Sequence, residues 1–332
     1  MGAEPTVGPP LACAHPESFR SRSFLAADYV TGDPFEVQTC RACGLSFTHP
    51  QPTPDQLHRY YPQAYYGDAS HRRFPGPVEW LQGLLYRIRA KRIEAALGTG
   101  PGRILDIGCG KGHLLHAFQS RGWAATGVEL SEATAQLGRD MFGLTIHAGP
   151  LDAHALPGDS FEVAVLWHVL EHMPEPDALL GEVARLLVPG GLLLVSVPDL
   201  GSPEARATGP AWFHLDVPRH LIQFTRQQLR AALARAGFEQ RDSWSYAPEF
   251  DLFSFIQSTE NRLGLPQNLL YRMLRGSSAR LPGLRVTPWQ RVAAMFLALP
   301  LGLLGLPWTL LAGPLRLGST VTLLVRKPGP VL

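Results

Sequence analysis

The sequence predicts an α/β fold built on a doubly wound, mostly parallel sheet. Three observations predict it. Strand and helix patterns alternate across residues 76–246, which argues for right-handed βαβ units in one sheet. The apolar strand Arg103–Ile107 runs directly into closely spaced glycines and then a helix. The apolar run within Phe161–Trp167 is that of a strand covered on both faces.

The elements follow in order. Trp80–Leu97 carries Leu81, Leu84, Leu85, Ile88, Ile93 and Leu97 at helical spacing. After strand Arg103–Ile107 come helix His113–Ser120, strand Ala124–Glu129, helix Glu132–Met141 and strand Leu144–His147. Strand Phe161–Trp167 leads to helix Asp177–Leu187, and Gly190-Gly191 opens strand Leu192–Val197. Thr225 N-caps a helix to Ala236, Gly237 stops it, and Phe238–Tyr246 is the next strand. Leu252–Leu274 reads as an amphipathic helix, and Ser319–Arg326 as a final alternating strand. The chain thus divides into a module and connector at 1–75, a core at 76–246, an apolar insertion at 247–316, and a last strand with its tail at 317–332.

Composition narrows the function classes. The 332 residues suffice for a core without covalent staples. A net charge of +2, from 30 basic and 28 acidic residues, argues against a nucleic-acid binder, and no nucleic-acid partner is expected. Charged residues are only 17%, so part of the surface is expected to be covered by something other than water. Four cysteines do not make a disulfide scaffold, and no basic-then-apolar leader pattern opens the chain. The expected location is cytoplasmic, with the inner face of the cell membrane as a further site.

The chemistry centres on Ile104-Leu-Asp-Ile-Gly-Cys-Gly-Lys-Gly-His113. Gly108, Gly110 and Gly112 let backbone approach a ligand, and Asp106 ends the strand inside the crevice of an open sheet. Dinucleotide binding wants G-x-G-x-x-G, whereas this turn is G-x-G-x-G. An acid facing a pyrophosphate is repulsive; an acid facing an ammonium is attractive. That favours S-adenosylmethionine. Glu129, twenty-one residues past Gly108, ends the second strand where a ribose-hydroxyl acceptor belongs. Cys109 reads as a small packing residue of the turn.

With these residues in view, residues 103–237 resemble a class I S-adenosylmethionine-dependent methyltransferase, in the bacterial branch near quinone-biosynthesis methyltransferases. The stretches that carry the resemblance are ILDIGCGKG, TGVELS, LDAHALPGDSFEVAVLWHVLEHMPEP, EVARLLVPGGLLLVSVPD and PRHLIQFTRQQLRAALARAGF. It implies a seven-stranded Rossmann-like sheet with an antiparallel last strand beside Phe238–Tyr246. It also implies that Asp106 and the glycine turn, Cys109 included, hold the methionine portion and that Glu129 takes the ribose hydroxyls. Leu130 would pack on adenine, Asp152 and Ala153 would meet its polar edge, and Leu166 would complete the cofactor set. Glu162 stands where the family usually has Asp.

Methyl transfer needs a positioned nucleophile and sometimes a base near neutrality, which points to histidine. His168 and His172 follow the fourth strand, and His214 and His220 lie in the loop after the fifth. All four are candidates. Each also has a bland reading as a hydrogen-bonded structural residue. Arg219 is read either as a clamp for an anionic substrate group or as solvent-facing.

Cys40-Arg-Ala-Cys43-Gly44 is half of a zinc knuckle, and Cys13 with His15 supplies the other half. A closed Cys13/His15/Cys40/Cys43 site would hold a structural Zn²⁺. The resembling family often carries a zinc-ribbon-like module here, usually with C-x-x-C at both ends. The rival readings are a metal-free remnant and a redox dithiol.

Val292–Leu315 contains no charged residue. Its flanking strands are expected in one sheet, so a single crossing of a bilayer is excluded. A re-entrant or interfacial hairpin, a pair of short helices, or an apolar lid remains. Peripheral membrane contact through 292–315 would suit a lipid-linked acceptor; a small-molecule acceptor fits equally well. The function expected is O- or C-methylation. The rivals are a nicotinamide-dependent oxidoreductase or epimerase and a zinc-containing nucleic-acid adaptor.

Overall fold

The computed structural model of the protein describes residues 15–57, 59–61, 76–245, 247–274 and 286–329. Cys13 and Tyr246, singled out from the sequence, lie outside the described residues.

Three antiparallel strands open the chain: β1 (Arg20–Ala27), β2 (Pro34–Cys40) and β3 (Ser46–His49), followed by the one-turn helix α1 (Pro54–Leu57). Helix α2 (Gly76–Leu97) leads into β4 (Arg103–Ile107), α3 (His113–Gln119), β5 (Ala124–Glu129), α4 (Glu132–Phe142) and β6 (Thr145–Ala148). Next come β7 (Phe161–Trp167), α5 (Pro176–Leu186), β8 (Leu187–Pro198), α6 (Pro203–Thr208), β9 (Ile222–Gln223), α7 (Arg226–Arg235) and β10 (Glu239–Trp244). Helices α8 (Pro248–Arg262), α9 (Leu269–Leu274) and α10 (Pro288–Leu315) precede β11 (Thr320–Arg326).

Seven strands form one sheet in the order β10-β11-β8-β7-β4-β5-β6. The five from β8 to β6 are parallel. Strand β11 runs antiparallel to both neighbours, with Val321 opposite Val197 and Val325 opposite Gln240. This is the sheet that the resemblance implies. The strand order reverses between β4 and β7, so a ligand crevice opens above their C-terminal ends.

Local chemistry explains the helix bounds. Thr225 accepts from the Gln228 amide while Gln228 reaches back, a reciprocal cap that starts α7. Ser131 caps α4, and Gly143 ends it in the left-handed region at φ 63°. Strand β8 starts earlier than expected, because Gly190 and Gly191 are absorbed into it.

A second sheet runs β1-β2-β3-β9. Its last member comes from the core: Phe47 pairs with Ile222 and Ser46 with Gln223. The N-terminal strands are thereby joined to the loop that carries the candidate histidines His214 and His220.

Two expectations about the insertion are corrected. Leu252–Leu274 is not one helix; it breaks after Arg262, where Gly264 takes φ +88° and Pro266 follows. Val292–Leu315 is neither a hairpin nor two short helices. It is one helix of 28 residues, α10, with Pro300, Pro307 and Pro314 inside it. The prolines recur every seven residues, about two turns. They share the exposed face of α10, where a freed carbonyl is not trapped in the packed seam. Small residues fill that seam: Ala294, Gly305, Thr309, Ala312 and Gly313 are buried. A Cβ on Gly305 would come within 2.5 Å of the Phe255 ring, so α8 and α10 can approach this closely only with glycine there.

Candidate active site

The glycine turn is shaped as the sequence requires. A Cβ on Gly108 would lie 2.5 Å from Val169 Cγ2, and its φ of +71° suits glycine alone. At Gly110 a Cβ would meet nothing within 4 Å, so this position faces open space. The amides of Gly108 and Cys109 donate to the Val128 carbonyl at 2.7 and 3.2 Å, which pins the turn to β5. Glu129 accepts from the Gly110 amide at 2.9 Å and the Ser131 amide at 2.9 Å. Its carboxylate is therefore held at the lip of the crevice beside the turn.

Asp106 is 4% exposed at the end of β4. Burial and the Glu129 charge push its carboxyl up to about 8, and only the Arg89 charge opposes them. A buried acid short of positive charge fits a cationic ammonium group. Arg89, on α2, was missed from the sequence. Its guanidinium lies 3.6 Å from the centre of the Trp167 ring and is 8% exposed. One arginine among several on a polar helix gives no local signal. Burial and neighbouring acids push the Cys109 thiol up, so it is not a thiolate.

Leu130 follows the C-terminal end of β5, and Asp152 and Ala153 follow that of β6. Leu130 is 68% exposed, an apolar side chain available to a planar ring. Asp152 and Ala153 lie exposed in the turn Leu151–His154 beyond β6. The Leu166 side chain is fully buried in the core under the sheet.

All four candidate histidines converge on one carboxylate, Glu171, which is 1% exposed. His168 Nδ1 lies 3.2 Å from Glu171 Oε1, and His220 Nε2 lies 4.0 Å from the same oxygen. The rings of His172 and His220 are 4.7 Å apart, and those of His168 and His214 6.3 Å. Burial alone would raise the Glu171 carboxyl, but its His168 hydrogen bond and the charges of His168, His172 and His220 bring it down to about 2. Glu171 therefore stays ionised.

The histidines are not equivalent. Burial, and then the His172 charge, lowers His220 to about 4; burial, and then the His168 charge, holds His214 well below the usual histidine range. Both are weak bases. His172 Nδ1 meets the Arg219 carbonyl at 2.9 Å and the Tyr61 hydroxyl at 3.1 Å. His168 has φ +55°, unusual for a non-glycine residue, and its buried Nε2 has no protein partner. Its ring faces Phe250 of α8, with centroids 4.8 Å apart. Glu171 completes the set, and the sequence signalled it only as the neighbour of His172.

Arg219 takes neither role expected of it. It is fully buried and donates to Asp28, Asp216 and the Tyr60 carbonyl, each at 2.8 Å, with its guanidinium 4.4 Å from the Tyr29 ring centre. It fastens the N-terminal sheet to the histidine loop. Beside that sheet, His15 ahead of β1, Cys40 at the end of β2 and Cys43 in the following turn bring their donor atoms within 4.8 Å of one another. Gly44, at φ +74°, closes the turn between the two cysteines and β3.

Sheet order, glycine turn and paired acids define a nucleotide-cofactor site of the methyl-transfer type rather than a dinucleotide site. The comparisons agree. A family model described as a methyltransferase domain matches residues 79–242. A ubiquinone biosynthesis O-methyltransferase of Pseudomonas fluorescens is 31% identical over 115 residues, 33% of this chain and 50% of that one. The enzyme of that name from Pseudomonas aeruginosa is 32% identical over 169 residues, 47% of this chain and 72% of that one. The chain thus spans between about half and three quarters of the length of these relatives. A solved structure from Galdieria sulphuraria, assigned as a sarcosine dimethylglycine methyltransferase, superposes with a TM-score of 0.50 at 14% identity, covering 81% of this chain and 97% of that one. The chain belongs to the class I S-adenosylmethionine-dependent methyltransferases. Its cofactor is S-adenosylmethionine, which removes the nicotinamide alternative.

Proposed function

We propose that the protein moves the methyl group of S-adenosylmethionine to an oxygen or carbon nucleophile on a small or lipid-linked acceptor. His168 acts as general base and Glu171 holds it. The observation that carries this reading is the His168–Glu171 contact at 3.2 Å, with the opposite ring nitrogen buried and unpartnered. A carboxylate on Nδ1 fixes the tautomer and stabilises the imidazolium that forms, leaving Nε2 to take a proton.

The bound cofactor supplies an electrophilic methyl on its sulfonium. The chain's own residues do the rest. Asp106 receives the ammonium, Glu129 the ribose hydroxyls, and the exposed Leu130 and the Asp152–Ala153 turn flank the adenine. Phe250 and His214 wall the acceptor side near His168. His172 and His220 are positioning residues around Glu171.

The N-terminal turn holds a structural Zn²⁺ through Cys40, Cys43 and His15, with Cys13 as fourth ligand. Two thiolates and an imidazole within 4.8 Å of one another are the donor set that zinc prefers. The enzyme works in the cytoplasm, in contact with the inner face of a membrane through 292–315.

The test is formation of S-adenosylhomocysteine with a bacterial lipid extract as acceptor source. Wild type should form it, and His168→Asn should bind the cofactor normally yet form it about 10²–10⁴-fold more slowly. Equal turnover by both proteins would remove His168 from the chemistry.

A further inference from the structure

Helix α10 leaves an unusual surface. Val292, Met295, Phe296, Leu299, Leu303 and Leu310 are each between 55% and 77% exposed. Trp289, Leu304, Leu311 and Leu315 widen the same arc. At 100° per residue these positions cover roughly 200° of the helix circumference. The remaining arc is the small-residue seam against α8, and α9 also packs on α10. No charged residue interrupts Val292–Leu315, while Arg291 and Arg316 bracket it.

The width of that arc selects the partner. A protein docking on one helix covers a narrow seam and leaves the outer half wet, whereas acyl chains flow around the whole exposed arc. Two arginines at the margins and no acidic residue between them complement anionic headgroups. The fold then sets the orientation. Ser319, between α10 and β11, donates to Asp251 near the start of α8 at 2.6 Å, so the end of α10 and the start of α8 are held at one corner of the sheet. Helix α8 buries Ser254, Gln257, Ser258, Glu260 and Asn261, a polar set that cannot face lipid. Because α8 stays on the protein side, α10 cannot turn upright without leaving its seam.

We infer that α10 lies in the plane of an anionic bilayer, its broad apolar arc sunk to the headgroup–acyl boundary and its seam held by α8. This specifies the membrane contact of the proposed function and rests on it. About 42 Å of helix then rests along the membrane. Helix α8 connects that surface to the acceptor wall, since Phe250 touches His168 and Phe253 packs on Phe213 and Tyr271. An acceptor with a long apolar tail could keep the tail in lipid while its polar head reaches the histidines.

The experiment is flotation of the full-length protein with sealed vesicles of phosphatidylglycerol and phosphatidylcholine. Wild type should float, and vesicles of phosphatidylcholine alone should bind at least about tenfold more weakly. The double variant Leu303→Asp, Leu310→Asp should stay at the bottom, while Leu25→Asp, at another exposed leucine, should float normally. Single variants Arg291→Cys and Arg316→Cys, treated outside the vesicles with a membrane-impermeant maleimide and read by peptide mass, should both be labelled. Failure of wild type to float, whether monomeric or self-associated, overturns the inference, and so does normal flotation of the double variant. Labelling at Arg316→Cys with protection at Arg291→Cys would mean that α10 spans. S-adenosylhomocysteine affinity, measured on the same preparations without vesicles, separates the two readings: its absence in wild type defeats the methyltransferase site, not this surface.

Discussion

Arg219 and Asp28 stand 191 residues apart in the chain and form a fully buried ion pair at 2.8 Å. The Arg219 carbonyl meets His172 Nδ1, and the next carbonyl, that of His220, accepts from the Thr48 hydroxyl at 2.6 Å. The N-terminal strands thus hold the histidine loop from behind.

Asp28→Ala should therefore cost about 1–3 kcal/mol, since it leaves one arm of a buried guanidinium unpaired while Asp216 and the Tyr60 carbonyl still hold the others. Guanidinium denaturation measures the loss. Turnover of the folded fraction should also fall, because the carbonyls that orient His172 and His220 move. A loss below about 1 kcal/mol would show that the pair is not the fastening it is taken for.

The glycine turn separates cofactor binding from folding. Gly110→Val leaves its Cβ in open space but forces a β-branched residue to φ +55°, so it should abolish S-adenosylhomocysteine binding with a modest fall in melting temperature from backbone strain. Gly112→Ala would instead drive a Cβ into Leu144 and should lower the melting temperature more. Calorimetry and thermal melts on both variants check the contrast.

Cofactor affinity should depend on pH through Asp106. Its carboxyl is held up to about 8 in the free protein, mostly by burial and Glu129, and must ionise to receive an ammonium. Affinity for S-adenosylhomocysteine should rise as pH climbs toward about 8, by up to about tenfold per unit, and then level off. Asp106→Asn should bind weakly and show no such rise. A flat wild-type profile would place the ammonium elsewhere.

Zinc should be present at about one equivalent by metal analysis of protein purified without chelators. Cys40→Ser should lose the metal and destabilise β1–β3. Because β3 pairs with β9, S-adenosylhomocysteine formation should fall as well. A full metal complement in Cys40→Ser would exclude this ligand.

What the sequence made legible was local. The strand, Asp106, the glycine turn and Glu129 lie within 27 residues and state their geometry through spacing alone. The convergence of His168, His172, His214 and His220 followed from their shared sheet edge. Glu171 as the common partner did not, because its role depends on burial. The Asp28–Arg219 pair and Arg89 were illegible for a similar reason, since long-range partners leave no pattern in one chain. The apolar segment was expected as a hairpin, a pair of short helices or a lid, whereas the seven-residue spacing of Pro300, Pro307 and Pro314 puts all three on one tolerant face of a single helix.

S-adenosylmethionine carrying a labelled methyl group, incubated with the protein and a bacterial lipid extract, reads methyl transfer itself. The predicted result is label in an organic-soluble product, matched mole for mole by S-adenosylhomocysteine, and lost with both His168→Asn and Asp106→Ala. Formation of labelled product at the wild-type rate by Asp106→Ala, or no S-adenosylhomocysteine from wild type with any fraction of the extract, would contradict the proposed methyl transfer.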